Sequence, residues 1–185
     1  MIKYIIMLFT VLSVEIAFSQ ETNTAKEYYY EISYYGYNLV KPGIKTSANY
    51  ILKQKIKSEK INTLITNAHI GFTWYPHSHF AVFNYYQIAY RKTKVLKNKF
   101  FTIALGPGVY RSIYSETYQI ASNGYVEKIN FAGRTYFSTV LTLGNGKILK
   151  KKILKSRFIN TNLMFLFDYN TSVVPLLSIE IGFRI

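Results

Sequence analysis

His77-Ser78-His79 is the one local cluster of catalytic residue types in this 185-residue chain. A serine nucleophile needs its hydroxyl within hydrogen-bond reach of an imidazole that a carboxylate orients. Neighbouring residues of an extended chain project to opposite sides, so Ser78 is not expected to be served by either adjacent histidine. Two imidazoles at i and i+2 could share a metal, but a closed site needs further ligands and none stands nearby. A polar turn after Pro76 is therefore the expectation, with no catalytic residue, metal or cofactor assigned. No Gly-rich phosphate loop, paired catalytic carboxylates or nucleic-acid motif occurs. The absence of cysteine removes disulfides, thiolate metal sites and a lipoprotein anchor.

The elements that would position these residues are strands. From Leu177 onward one side carries Leu177, Ile179, Ile181, Phe183 and Ile185, and the other Ser178, Glu180, Gly182 and Arg184. Period-two alternation of this kind marks a strand with one apolar and one polar face. Similar segments recur upstream over 44–56, 62–75, 80–91, 100–110, 131–143 and 158–169, with a less regular Tyr-rich stretch over 27–40, giving eight strands. Eighteen Tyr and thirteen Phe fit strands better than helices. Lys41-Pro42-Gly43, Pro76 to His79, Asn145-Gly146 and Asn170-Thr171 read as turns, and Ser112 to Asn130 is the longest polar connection.

Charge is unevenly placed. Twenty-three Lys plus Arg against nine Asp plus Glu give +14, a field that favours acidic partners. Lys3, the apolar run Tyr4 to Val14 and the small residues Ala17-Phe18-Ser19 read as a signal peptide over 1–19, cleaved before Gln20. That leaves 20–185 as a single exported domain and argues against a cytoplasmic nucleic-acid partner. No later stretch is long enough for a transmembrane helix.

Alternation alone does not say which face is inside. In a soluble barrel or sandwich the apolar face points inward; in a membrane barrel it points outward and the polar face lines the lumen. Strand lengths, aromatics near strand ends (Trp74, Tyr75, Phe80, Tyr90, Phe100, Phe101, Tyr110) and Asn, Thr, Glu and Arg on the polar faces favour the membrane arrangement. The leader, the eight strands and the terminal aromatic strand resemble the small eight-stranded outer-membrane β-barrels of Gram-negative bacteria, the OmpA/OmpX-like type. The resemblance is one of pattern, over nearly the whole mature chain. The terminal aromatic of that family stands here at Phe183, third from the end, with Ile185 last.

The resemblance implies an all-β, up-and-down antiparallel transmembrane barrel, monomeric, in the outer membrane, with outer-membrane lipids as partners. Strand parity then puts the turns after the second, fourth and sixth strands at the periplasmic end. Those turns carry Lys53, Lys55, Lys57 and Lys60; Lys92, Lys94, Lys97 and Lys99; and Lys147, Lys150, Lys151, Lys152, Lys155 and Arg157. This basic rim would meet phospholipid headgroups or an acidic periplasmic partner. Inside, His69, Arg134, Asp168, Glu180 and Arg184 are the expected polar lumen residues. Arg134 is expected near Asp168, and Glu31 near Arg184 where first and last strands close. The expected role is structural or interactive, without catalysis. Two alternatives stay open. One is a lipid A or phospholipid-modifying enzyme using the 77–79 turn, although the deacylases among these barrels space His and Ser differently. The other is a soluble secreted lipid-binding barrel.

Overall fold

A computed structural model describes residues 27–37, 41–57, 59–76, 78–114, 117–120, 125–129, 131–149, 153–169 and 172–185. The signal peptide predicted over 1–19 lies outside these residues. Among the described residues ten strands occur: β1 (Tyr28–Tyr37), β2 (Gly43–Lys57), β3 (Lys60–Tyr75), β4 (His79–Lys94), β5 (Lys99–Tyr114), β6 (Tyr118–Ile120), β7 (Val126–Lys128), β8 (Gly133–Ile148), β9 (Ser156–Tyr169) and β10 (Ser172–Arg184). Eight of them close an antiparallel barrel in the order β1-β10-β9-β8-β5-β4-β3-β2, while β6 and β7 form a separate hairpin. The eight barrel strands are those expected from the alternation, including the Tyr-rich first one. Closure pairs β1 with β10 along Glu31↔Arg184 to Tyr37↔Ser178, so the barrel sheet has no open edge.

Several boundaries differ from the sequence expectation. Asn145 and Gly146 do not turn the chain but continue β8, opposite Phe101 and Phe100 of β5. The ladder to β5 runs on past them to Lys147, and the Phe100 ring occupies the space a side chain at position 146 would need. The basic turn expected over 92–99 contracts to Val95–Asn98, because Lys92, Lys94 and Lys99 keep their ladder pairs. Asn98 takes a positive φ of 50° there, which Asn tolerates better than most residues. The long connection after β5 is not featureless, since it folds back as the β6–β7 hairpin. Strands of 13–16 residues exceed the roughly 9–11 needed to cross a bilayer at a tilt, so their ends project beyond any such layer.

The two faces are sorted with the apolar one outward. Ile70, Ile88, Ile103, Leu105, Leu143, Leu177 and Ile181 are exposed around the middle of the barrel. Exposed aromatics flank them on both sides: Tyr34, Phe72, Trp74 and Phe137 toward one end, Tyr28, Tyr30, Tyr90, Phe101 and Phe183 toward the other. Inside lie Lys45, Ser47, Asn49, His69, Gln87, Thr142, Asn162 and Glu180, all buried. A soluble lipid-binding barrel requires the opposite sorting, apolar residues around the cavity and polar ones in water. A bulge at Leu52, between the pairs Ile51↔Ile65 and Lys53↔Leu64, twists the end of β2 and turns Gln54 toward the lumen mouth.

Candidate functional site: the lumen and its basic mouth

Three layers fill the barrel. The end bearing the β6–β7 hairpin is closed by a cluster that includes Tyr35, Tyr75, Phe83, Tyr85, Tyr110 and Tyr136 with Val140, Met164, Leu166 and Leu176. Tyr35 packs on Phe83 with ring centroids 4.7 Å apart, and the Tyr75 and Tyr110 hydroxyls lie 3.0 Å from each other. The inward positions of β4, β5 and β8 at this end include Phe83, Tyr85, Tyr110, Tyr136 and Val140, with Ser112 and Ser138 also buried there.

The middle layer is ionic. Lys45 Nζ donates to Glu180 at 2.6 Å and to the Tyr85 hydroxyl at 2.9 Å, with both charged side chains about 98–99% buried. Asn160 and Asn162 donate to the same carboxylate at 3.1 and 3.3 Å. Thr142 links Asn162 at 2.7 Å to Gln87, whose amide also donates to the Val140 carbonyl at 2.9 Å. Every charge and most amides in this layer are thereby satisfied, as burial demands. The space left between them is about 20 Å³, enough for roughly one water, so the lumen is filled at this level.

The third layer is the mouth at the opposite end. Tyr29, Ile51, Ile65, Ala89 and Ala104 form its apolar floor. Arg91 reaches Glu31 at 3.4 Å and Thr102 at 3.1 Å, with its guanidinium 4.5 Å from the Phe100 ring centroid. Arg184 stacks on Tyr29 at 3.7 Å and donates to Glu27 at 2.9 Å. Around this mouth the register lines up cations strand after strand: Lys57↔Lys60, Lys60↔Lys94, Lys94↔Lys99, Lys99↔Lys147 and Lys147↔Arg157. Like charges placed directly opposite destabilise a sheet, so this ring is held only because the ends are solvated or met by anions. Lys97 sits in the β4–β5 turn and Lys155 just before β9, both exposed at the same end. Lys150, Lys151 and Lys152 lie outside the described residues. Among the described residues the acids at this end are Glu27, Glu31 and Glu59, while Lys41, Arg111, Lys128 and Arg134 share the far end with Glu127 and Asp168.

The lumen residues expected from the sequence divide. Glu180 and His69 are buried inside, His69 stacked on Tyr85 at 4.4 Å with neither ring nitrogen hydrogen-bonded among the described residues. Arg184 lies at the mouth, and although it faces Glu31 across the closing strands its ion pair is with Glu27, while Glu31 goes to Arg91. Arg134 and Asp168 have inward parity but are exposed at the far rim, beyond the buried segment, so they are not lumen residues. Lys45 is a further lumen residue not singled out from the sequence; its place on the polar face of the 44–56 run was the available signal.

The 77–79 turn differs from expectation in one respect. Ser78 Oγ lies 2.7 Å from His79 Nδ1, because the backbone turns here rather than running extended. His79 also stacks on Tyr75 at 4.2 Å. Among the described residues no carboxylate hydrogen-bonds His79, and no group of His, Cys, Asp and Glu is placed to hold a metal. His77 lies outside the described residues.

No protein-family model matches the chain, and no curated protein sequence matches it. Among solved structures it is similar to Ail, the attachment invasion locus protein of Yersinia pestis, in its complex with the heparin analogue sucrose octasulfate. That match has 13% identity and a TM-score of 0.40, and covers 88% of this chain and all of the other.

Proposed function

We propose that this protein is a monomeric outer-membrane barrel with a structural or interaction role, carried by the β6–β7 hairpin on one side and the basic mouth on the other. The observation that carries this reading is the sorting of faces: an exposed aliphatic belt with aromatic flanks surrounds a buried Lys45–Glu180 layer. Water would penalise that outer surface and hydrocarbon would not. β1 starts and β10 ends at the basic mouth, which in an exported barrel of this kind is the periplasmic end, where the lysine ring meets anionic headgroups of the inner leaflet or an acidic partner. The hairpin then projects outward, with Tyr118, Ile120, Tyr125 and Val126 exposed as contact residues. The aromatic plug and the ionic layer beneath it support a role without transport.

Cell fractionation, followed by gels of boiled and unboiled membrane fractions, tests this. Recovery in the outer membrane with a heat-dependent mobility shift is expected; recovery in the soluble fraction would refute it. The Ser78–His79 contact keeps a lipid-modifying enzyme as the second reading. Purified barrel that deacylates lipid A or phospholipid, and loses that activity on His79→Ala, would establish it.

A further inference from the structure

The cations that face one another across the ladder at the basic end point sideways, away from the lumen. Lys94 adjoins Thr93, Lys99 adjoins Phe100, and Arg157 lies between Ser156 and Phe158. Those four neighbours are buried inside, so alternation turns the three cations onto the outer wall. Residues directly opposite in a ladder share a face. The whole row of Lys57, Lys60, Lys94, Lys99, Lys147 and Arg157 is therefore outward, and all six are exposed. The row crosses β2, β3, β4, β5, β8 and β9. At the seam of β1 and β10 the outer face of this end carries Tyr28, Tyr30 and Phe183 instead.

Two features of the wall say what lies against this row. The first is the absence of acids on it. The acids within the described barrel strands are Glu31, Asp168 and Glu180; Glu31 and Glu180 are buried inside, and Asp168 stands at the far rim. Glu59, in the turn between β2 and β3, is the one described acid beside the row. The second is the border with the apolar belt. Phe101 stands two residues from Lys99, Ile159 two from Arg157 and Leu143 four from Lys147, all exposed on the same outer face. A strand rises about 3.3 Å per residue, so these cations start about 7–13 Å from the belt. A lysine stem can lie along that apolar edge and keep its ammonium in the headgroup layer. A soluble partner approaching along the axis meets the end of the barrel, whereas this row is presented in the plane of the bilayer.

We propose that the outer row is a docking collar for anionic phospholipid, each headgroup phosphodiester accepting from cations on neighbouring strands. The collar rests on the membrane-barrel reading above and deepens it, choosing the lipid of the surrounding leaflet over an acidic protein. Cross-strand neighbours about 4.5–5.5 Å apart repel when alike in charge, and a phosphate seated between two of them removes that repulsion. Phosphatidylglycerol, with a net negative charge, is preferred over phosphatidylcholine, whose own ammonium cancels its phosphate.

The test reconstitutes the full mature chain in phosphatidylcholine bilayers with a trace of spin-labelled phosphatidylglycerol or spin-labelled phosphatidylcholine. Electron spin resonance then reads the fraction of each label immobilised on the barrel. At low salt the phosphatidylglycerol label is expected to be favoured at least about threefold. The preference should fall toward parity at about 1 M salt, where screening acts over about 3 Å. Lys94→Gln, Lys99→Gln and Lys147→Gln together should remove most of it, leaving about 1.5-fold or less, while Lys128→Gln on the β6–β7 hairpin should leave it intact. The triple variant loses only like charges that face one another, so it is expected to fold; if it gives no heat-shifted band, Lys99→Gln alone decides, with about half the preference lost. A barrel that enters the bilayer but shows no preference, or keeps it in the triple variant, would overturn the collar and leave the membrane barrel standing. A chain that gives no heat-shifted band and stays out of the bilayer would overturn both.

Discussion

At the far end of the lumen β4 and β5 place Phe83, Tyr85 and Tyr110 inward; toward the mouth the same two strands place Ala89 and Ala104 inward. Ring against ring closes one end, and small side chains beside arginines leave a cavity at the other. Alternation decides which side a residue faces, and side-chain volume then decides whether that side is filled. The ionic layer of Lys45 and Glu180 lies between, isolating the packed end from the wet one.

That division can be broken most forcefully at its middle. Glu180→Gln leaves the Lys45 ammonium buried without a counter-charge and should cost about 3–5 kcal/mol, whereas Lys45→Met with Glu180→Leu should recover most of that loss. Urea unfolding in detergent reads both, and an unchanged midpoint for the single variant would remove the ionic layer from the account. Next is a contrast between the ends. Phe83→Ala in the closed end should cost about 3–5 kcal/mol, and Phe100→Ala, beside the cavity, clearly less. Equal losses would mean that the mouth is as tightly packed as the plug.

A smaller effect separates used from unused hydroxyls. Thr142→Ala removes bonds to Asn162 and Gln87 and should cost about 1–3 kcal/mol, while Ser156→Ala should be nearly neutral or slightly stabilising, having no partner to lose. A large loss at Ser156 would reveal a structural bond there. The smallest expected effect lies at the far rim, where partial burial, followed by the charge of Lys41, holds the His79 imidazole below its usual 6.5. The unfolded chain then takes up this proton first, so the associated stability is present above about 6.5 and declines as pH falls below it. Histidine NMR titration should show the depressed value, and Lys41→Gln should move it upward; a value at or above 6.5 would contradict the local geometry.

Much of the barrel is readable residue by residue. The period-two runs placed Ile70, Phe72 and Trp74 on one face and His69 and Thr73 on the other, and the structure keeps that sorting. The clustering of lysines toward the strand ends was equally legible, although Lys92, Lys94 and Lys99 stay in the ladder instead of marking where pairing stops. Asn145-Gly146 misled because a turn dipeptide is a local preference, and the ladder to β5 together with the Phe100 ring overrides it.

What the chain determines by itself is therefore the division of each strand into two faces, the number of barrel strands and the clustering of cations, all of which depend on neighbours a few residues apart. Only the closed barrel decides that Lys45 meets Glu180 across 135 residues, that Arg184 turns to Glu27 instead of Glu31, and that Arg134 and Asp168 fall on the rim. It also decides that one end of the lumen is plugged and the other hollow. These outcomes depend on register and on the summed volume of side chains from eight strands sharing one axis, quantities that no single strand carries.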